Sequence, residues 1–402
     1  MGQAQAQSTN DFATSTDVSS NEPSELYLAC RNGDIEKVAQ ILTHLNTSNI
    51  NRLEPNGSTS LHAASFFGHK TIVQMLLQNG AQSWIVNKYK MTPYEEAAND
   101  EIRSLFHRPL ETNSNRFADD DTNNGCLELI SEKKIEENTN NNIPNGWIEG
   151  YKNIGKDFET KGIKFIVRAQ MTKYYLTSLQ RSNDCARELR RILKLSVPSN
   201  HPDYKIACRL FDEYCSRNQI EHLIRLYTLE TGFYHALHSN VEIFTVEIYS
   251  QLQNLKDRFF QGKTYRGLSM TTKDIDDYKW GVHNQGTLIE IKTLTSTSID
   301  SKVAYEFARG KKTNNTNCHR VICELHFDRS CSTAIDLRRH ADKNLLCLSA
   351  YEDEAEVLVL PGTLFKVQDV SQEKDTGRYT IVLQNMHVPL NIILEAFKEL
   401  QT

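Results

Sequence analysis

The pattern of hydrophobic and polar residues changes several times along the chain. In residues 1–22, Ser, Thr, Asn and Gln dominate and almost nothing is apolar. Such a segment cannot offset the conformational entropy that ordering would cost, so we predict a disordered tail. In residues 23–108, apolar residues recur at helical spacing, which predicts a series of short amphipathic helices.

Residues 23–108 also contain a longer repeat. The sequence Thr59-Ser60-Leu61-His62-Ala63-Ala64 begins one copy, and Thr92-Pro93-Tyr94 begins the next copy 33 residues later. This pattern resembles the ankyrin repeat, whose period is about 33 residues and whose consensus contains T-P-L-H-x-A. We therefore predict about three ankyrin repeats, in which threonines begin helices while Gly68 and Gly80 end them.

The rest of the chain divides into three parts. Residues 109–145 are polar and rich in Asn, which predicts a linker with one short helix around Leu127–Lys134. Residues 146–218 show helical patterning and are interpreted as an accessory segment. In residues 219–400, amphipathic helices precede a run of short segments with strand character, which predicts an α+β domain. The predicted strands are Thr264–Leu268, Leu288–Lys292, Val321–His326, Ala355–Leu360, Phe365–Val370 and Tyr379–Gln384.

Composition narrows the classes of partner. The net charge of -5 and the pI near 6.2 argue against nucleic acid, which usually selects a basic protein. Nine cysteines at irregular spacing, without any C-x-x-C, predict neither a disulfide framework nor a metal site. No apolar run approaches the roughly 20 residues of a membrane helix. We therefore expect a cytoplasmic protein with reduced cysteines and no membrane partner.

Three short motifs lie in order within the predicted α+β domain. The first is Thr264-Tyr265-Arg266-Gly267-Leu268, and the second is Thr295-Ser296-Thr297-Ser298. The third is Tyr351-Glu352-Asp353-Glu354-Ala355-Glu356-Val357-Leu358. Each motif alone is weak, but their order and spacing together resemble the R-S-E signature of the cholera-toxin-like ADP-ribosyltransferases. More narrowly, they resemble the arginine-specific mono-ADP-ribosyltransferases, over residues of about 219–390.

This resemblance implies a split two-sheet α+β core with helices at its N-terminal side, and NAD as co-substrate with NADP as an alternative. Arg266, beside Gly267, would hold the pyrophosphate of NAD, since an arginine fork binds phosphate oxygens well. Ser296, supported by Thr297 and Ser298, would bind the nicotinamide ribose. A second interpretation of Ser298 is that its hydroxyl caps the following helix.

Two glutamates complete the predicted chemistry. Glu356 matches the family's catalytic position, where a carboxylate stabilises an oxocarbenium-like sugar cation. Glu354 would orient or deprotonate the acceptor guanidinium. We expect both glutamates on one face of a strand, because residues two apart point the same way. Tyr351 would stack on the acceptor arginine, or it packs without contacting substrate.

The sequence thus predicts a multidomain protein: all-α ankyrin repeats followed by an α+β transferase domain. Its predicted activity is transfer of ADP-ribose from NAD to protein arginine, with release of nicotinamide. Two alternatives are an NAD glycohydrolase and a catalytically inactive, ankyrin-led binding scaffold. A departure from the family's pattern, Pro361-Gly362 after the third motif, affects the expected shape of the acceptor site. The ankyrin surface is expected to bind a protein partner.

Overall fold

The computed structural model describes residues 22–108, 127–130, 184–238, 240–283, 288–310 and 318–401, together with single positions between 167 and 178. Within it the chain divides into two compact units, Met1–His107 and Arg108–Thr402. The predicted disordered tail, apart from residue 22, and most of the predicted linker at 109–145 lie outside the described residues. In the described part of the chain, no helix is both long enough and apolar enough to cross a membrane.

The described part of the first unit is helical, as the sequence predicted. Its helices are α1 (Glu25–Asn32), α2 (Ile35–Leu42), α3 (Thr47–Ile50), α4 (Ser60–Phe66), α5 (Lys70–Gln78) and α6 (Asp100–Arg103), followed by a 3-10 turn at Ser104–Phe106. Thr59 caps α4 by accepting a hydrogen bond from the backbone of His62. Gly68, with φ of 77°, follows α4 in the left-handed conformation that glycine adopts without strain.

Each pair of helices in this unit buries its apolar side against the next pair. The shared core consists of Leu26, Ala29, Cys30, Val38, Leu42, Ile50, Leu61, Ala64, Ile72, Val73, Leu76, Ala81, Ala97, Ile102 and Phe106. The third copy of the pattern is shorter than the others, because Thr92-Pro93-Tyr94 forms a turn and not a full helix. A single copy would leave its apolar face exposed to water, so the copies depend on stacking against one another.

The described part of the second unit combines helices with eight strands. The helices are α7 (Cys185–Ser196), α8 (Tyr204–Arg217), α9 (Ile220–Thr228), α10 (Gly232–His238), α11 (Val241–Ser250), α12 (Thr272–His283), α13 (Ser301–Gly310) and α14 (Leu390–Gln401), with 3-10 turns at Leu252–Arg258 and Glu352–Glu354. The strands are β1 (Leu127–Ile130), β2 (Phe259–Thr271), β3 (Leu288–Ile291), β4 (Thr295–Ser298), β5 (Cys318–Asp336), β6 (Glu356–Val359), β7 (Leu364–Gln372) and β8 (Tyr379–Asn385). All six predicted strands are present.

Hydrogen bonds link the strands in the order β1-β3-β7-β8-β5-β2-β4-β6, with β5 and β6 also paired. The sequence predicted a split two-sheet core, but the described strands form one connected sheet. The reason is the length of β5, which has 19 residues: Val321–His326 pair with β2 on one edge and β8 on the other, and Ala334–Asp336 pair with β6. One consequence is that β2, β4 and β6 lie side by side, so the three predicted motifs meet.

The short helix predicted around Leu127–Lys134 is wrong in its first half. Leu127–Ile130 is the strand β1, which pairs antiparallel with β3, so that Leu127 lies opposite Ile291. The sequence Leu-Glu-Leu-Ile alternates apolar and polar residues at its start, and this period suits a strand at a sheet edge as well as a helical turn. Pairing with β3, which is distant in sequence, decides between the two.

The helices that precede β2 approach one another closely at one glycine. A Cβ atom on Gly232, the first residue of α10, would lie 2.2 Å from the backbone carbonyl oxygen of Ser196 at the end of α7. Because that oxygen belongs to the backbone, no side chain can turn aside to make room. The absence of a side chain at position 232 therefore permits α7 and α10 to pack together.

One buried histidine makes the stability of the first unit depend on pH. His62 Nδ1 accepts a hydrogen bond from the backbone N–H of Thr59, and its Nε2 bonds to the carbonyl of Met91, 3.1 and 3.0 Å away. This pattern requires the neutral ring. Burial outweighs the hydrogen bond to Met91 and lowers the pKa of His62 to about 4 from an ordinary 6.5.

We predict that the first unit loses stability as the pH falls from 6.5 to 4. Over that window the unfolded chain binds a proton at His62, whereas the folded chain stays largely neutral there. The free energy of unfolding at pH 4 is therefore about 3 kcal/mol lower than its value above pH 6.5. Hydrogen-exchange protection of the α4–α5 region in the full chain measures it. His62→Gln should flatten this dependence, while the exposed control His44→Gln should keep it. Equal slopes in both variants would contradict the assignment.

Candidate active site

Arg266 lies in the middle of β2, where β4 runs along one side of the strand and β5 along the other. The side chain is buried, with 2% of its surface exposed, and its Nη1 donates a 2.7 Å hydrogen bond to the carbonyl oxygen of Ser296. Gly267 is also buried and pairs with Ile322 of β5. The arginine of the first predicted motif is thus joined directly to the serine of the second.

Glu356 begins β6 and carries a buried carboxylate held by two serines. The hydroxyl of Ser296 donates to its Oε1 at 2.7 Å, and the hydroxyl of Ser349 donates to its Oε2 at 2.9 Å. Only 1% of the glutamate surface is exposed. A buried carboxylate without donors costs several kcal/mol, so these bonds both stabilise the group and fix its orientation.

The strand register explains why Ser296 reaches Glu356. In the antiparallel pair of β4 and β6, Ser298 lies opposite Glu356 and Ser296 lies opposite Leu358. Ser296 and Glu356 therefore occupy diagonal positions on one face of the sheet, within reach of a short side chain. A shift of one residue in this register would turn the serine to the other face.

Thr297 and Ser298 use their hydroxyl groups to bind the main chain. Thr297 donates to the carbonyl of Val357 at 2.8 Å, and Ser298 donates to the carbonyl of Glu354 at 2.7 Å. Ser298 also accepts a hydrogen bond from the backbone N–H of Asp300, the residue directly before α13. In the structure the Thr297 hydroxyl attaches β4 to β6 and the Ser298 hydroxyl attaches β4 to the turn before β6. The predicted contact of both residues with NAD stays a prediction.

Glu354 does not lie on the strand that carries Glu356. It ends the 3-10 turn Glu352–Glu354, and Ala355 then takes a left-handed conformation with φ of 45° before β6 begins. The expected alternation of side chains along one strand is therefore wrong here. Glu354 is nevertheless buried, with 4% of its surface exposed, and the hydrogen bond from Ser298 fixes its backbone next to the site.

An arginine of the chain itself occupies the surroundings of Glu354. Arg108 donates from Nε and Nη2 to the two carboxylate oxygens, at 2.7 and 3.0 Å. Its guanidinium also stacks on the ring of Tyr351, 4.1 Å from the centroid. Tyr351 thus contacts an arginine plane, as expected for the acceptor, although the arginine in contact is internal. Its role toward a substrate stays a prediction.

Charge and burial act together on this cluster. Burial alone would lower the pKa of the Arg108 guanidinium, but the charge and hydrogen bonds of Glu354, with smaller contributions from Tyr351 and Glu230, raise it well above its ordinary value. Burial raises the pKa of the Tyr351 hydroxyl. Both effects keep the arginine charged and the tyrosine neutral near pH 7.

Several residues of the site were not identified from the sequence. Ser349 precedes Glu356 by seven positions and belongs to none of the three motifs. Arg108 lies 246 residues before its partner Glu354. Glu230, which also accepts from Arg108, follows α9 in a segment with no charged motif. Since each contact depends on tertiary packing, no local pattern could have revealed it.

The described residues contain no group of three or more His, Cys, Asp or Glu side chains that could hold a metal ion. The eight cysteines within the described ranges are free thiols. Cys126, the ninth, lies outside them.

Comparison with solved structures finds similar chains that include an ADP-ribosyltransferase. The ADP-ribosyltransferase Vis of Vibrio splendidus, in complex with agmatine, is 16% identical, covering 50% of this chain and 84% of Vis with a TM-score of 0.27. Exoenzyme S of Pseudomonas aeruginosa, bound to carba-NAD, is 17% identical, covering 50% and 88% with a TM-score of 0.30. The type III effector XopAI of Xanthomonas axonopodis pv. citri is 12% identical, covering 60% and 96% with a TM-score of 0.32. All three TM-scores are below 0.5, so the chemistry of this chain is inferred from the residues of its own site.

Among curated proteins, the NAD-capped RNA hydrolase NUDT12 of Homo sapiens is 38% identical over 73 residues, or 18% of this chain. The chain spans 16% of the length of that relative, and the same values hold for NUDT12 of Macaca fascicularis. A family model described as ankyrin repeats matches residues 15–114 with three copies. The predicted repeats are therefore confirmed, and the N-terminal part of the chain is an array of ankyrin repeats.

Proposed function

We propose that the second unit transfers ADP-ribose from NAD to the guanidino group of arginine side chains. The observation that carries this proposal is the buried Glu356 carboxylate, oriented by the hydroxyls of Ser296 and Ser349 and connected through Ser296 to Arg266. A fixed negative charge beside a serine and an arginine fits the needs of a donor that contains both a ribose and a pyrophosphate.

The residues of the cluster divide the work between the two ends of the donor. When bound, NAD supplies an ADP-ribosyl group whose bond to nicotinamide breaks with the development of positive charge on the sugar. Arg266 would bind the pyrophosphate, and Ser296 would position the ribose. Glu356 would stabilise the sugar cation more than the ground state, because its charge is held in place before the reaction begins. NADP remains an alternative donor.

The acceptor side is assigned to Glu354 and Tyr351. A free guanidinium has a pKa above 12, so a nearby carboxylate is needed to orient it and to receive its proton. In the structure the Glu354 carboxylate binds a guanidinium through both oxygens, and Tyr351 stacks on the same group. These contacts support arginine as the acceptor class over water alone.

The ankyrin repeats are proposed to select the protein that carries the acceptor arginine. The first unit, Met1–His107, supplies none of the groups assigned to the donor or the acceptor, and repeat arrays of this kind present extended surfaces that suit binding to other proteins. A small free acceptor such as agmatine, which carries a guanidino group without a protein, therefore tests the chemistry without this selection.

Glu356→Gln should lower both ADP-ribosyl-agmatine formation and NAD hydrolysis by a factor on the order of 10²–10³, because the change keeps the shape and removes the stabilising charge. Nicotinamide release, measured by chromatography, reports both reactions. Glu290→Gln is the matched control, since Glu290 on β3 is another buried glutamate and accepts a hydrogen bond from the Tyr174 hydroxyl. Near-normal turnover in Glu356→Gln would remove Glu356 from the mechanism.

Glu354→Gln should reduce transfer to agmatine far more than it reduces NAD hydrolysis. The sugar cation remains stabilised by Glu356 and water can still capture it, whereas the guanidinium loses the group that orients it and takes its proton. The measurement is the ratio of ADP-ribosyl-agmatine to free ADP-ribose. Glu352→Gln, a change in the same turn, provides the control. A parallel fall of both products would assign Glu354 to general support of the site and weaken arginine specificity.

A further inference from the structure

The guanidinium of Arg108 is enclosed by acceptors on several sides. Besides the two bonds to Glu354, its Nη1 donates to a carboxylate oxygen of Glu230 and its Nη2 lies 3.4 Å from the carbonyl oxygen of Thr228. Tyr351 covers the face of the group. Arg108 is the first residue of the second unit, so the whole arrangement belongs to that unit. These contacts define a guanidinium subsite: Glu354, Glu230, Tyr351 and the Thr228 carbonyl.

The subsite is shaped for a planar cation. Two carboxylates face one guanidinium, which leaves an excess of negative charge in the cluster, and the fork of Glu354 matches the Nε–Nη2 edge of arginine. Thr228 is the last residue of α9, and an unpaired carbonyl at a helix C-terminus carries partial negative charge. The aromatic face of Tyr351 adds a cation–π contact.

The walls of the subsite are fixed independently of Arg108. The hydroxyl of Thr228 donates to the carbonyl of Arg225 and accepts from the backbone N–H of Ala350, both at 2.8 Å. The Glu354 backbone accepts the hydrogen bond of Ser298. Since α9, the turn before Tyr351 and strand β4 each contribute one of these bonds, the subsite can keep its form when its occupant changes.

We propose that this subsite binds the acceptor arginine and that Arg108 fills it as an internal competitor. The inference rests on the proposed function, because Glu354 is the same carboxylate that is assigned to the acceptor. It adds Glu230 and the Thr228 carbonyl to the acceptor site. It also adds regulation by self-occupancy: an external arginine binds only to molecules in which Arg108 has left the subsite, so its apparent affinity falls in proportion to that fraction.

The contacts of Arg108 are those that an acceptor guanidinium would need. Each of its terminal nitrogens donates to a carboxylate or a carbonyl of the subsite, and its Nε donates to Glu354. Arg108 and an external arginine therefore cannot occupy the subsite together. While held in this way, Arg108 blocks the site.

A direct test is agmatine binding to the full chain by calorimetry, in the absence of NAD. Arg108→Ala should bind agmatine at least tenfold more tightly than the wild-type chain, and its KM for agmatine in the transfer reaction should fall by a similar factor. Arg108→Lys, which keeps the charge but loses the fork, should lie between the two. This second variant keeps the test decisive if the alanine variant does not fold.

Arg190→Ala is the matched control. Arg190 is likewise paired with a carboxylate, Asp212, at 2.9 Å and stacked on an aromatic ring, Phe211, but it is exposed. The agmatine affinity of the Arg190→Ala variant should equal that of the wild-type chain.

Several outcomes would overturn the assignment. Unchanged or weaker agmatine binding in both Arg108 variants would make Arg108 a structural ion pair only. Stoichiometric ADP-ribosylation of Arg108 in the wild-type chain, detected by peptide mass spectrometry, would make it an acceptor. A failure of the proposed function would appear differently, as absence of NAD cleavage in every variant. The calorimetric result does not depend on NAD cleavage, so it tests the subsite separately.

Discussion

The two hydrogen bonds that hold the Glu356 carboxylate are the interaction on which the site depends. A buried carboxylate is tolerated only with donors, and here Ser296 and Ser349 supply them from two different segments. The register of β4 against β6 places Ser296 diagonally to Glu356, while Arg266 binds the Ser296 backbone from β2. The same contacts therefore hold β2, β4 and β6 together and fix the positions of the groups to which the chemistry is assigned.

A second charged cluster lies beside the first and has a different character. Glu354 sits on a turn, and its backbone is connected to β4 through Ser298. Its carboxylate binds Arg108, whose guanidinium is shared with Glu230 and covered by Tyr351. One carboxylate thus faces hydroxyl groups and the other faces a guanidinium, which fits a division between donor chemistry and acceptor binding. The Arg108 contact makes that division open to control by the chain itself.

Much of this arrangement was predictable because its signals are local. The ankyrin pattern repeats within 33 residues, and β2 and β6, the strands of the first and third motifs, fall in segments that the sequence predicts as strands. The conformation of Glu354 was not predictable, because the left-handed Ala355 interrupts a sequence that reads as one strand. Arg108 and Ser349 could not be found either, since their partners are brought to them by tertiary packing. The β1 strand was mistaken for a helix because its edge pairing is equally non-local.

The most direct test of the central claim is mass spectrometry of the full chain incubated with NAD and saturating agmatine. Saturation with acceptor offsets any competition from Arg108. The account predicts ADP-ribosyl-agmatine, whose mass is that of agmatine with one hydrogen replaced by the ADP-ribosyl group, formed together with an equal amount of nicotinamide. Nicotinamide released with free ADP-ribose as the only other product would contradict arginine transfer and leave a glycohydrolase. Intact NAD after prolonged incubation would contradict the assignment of Glu356 as a catalytic carboxylate.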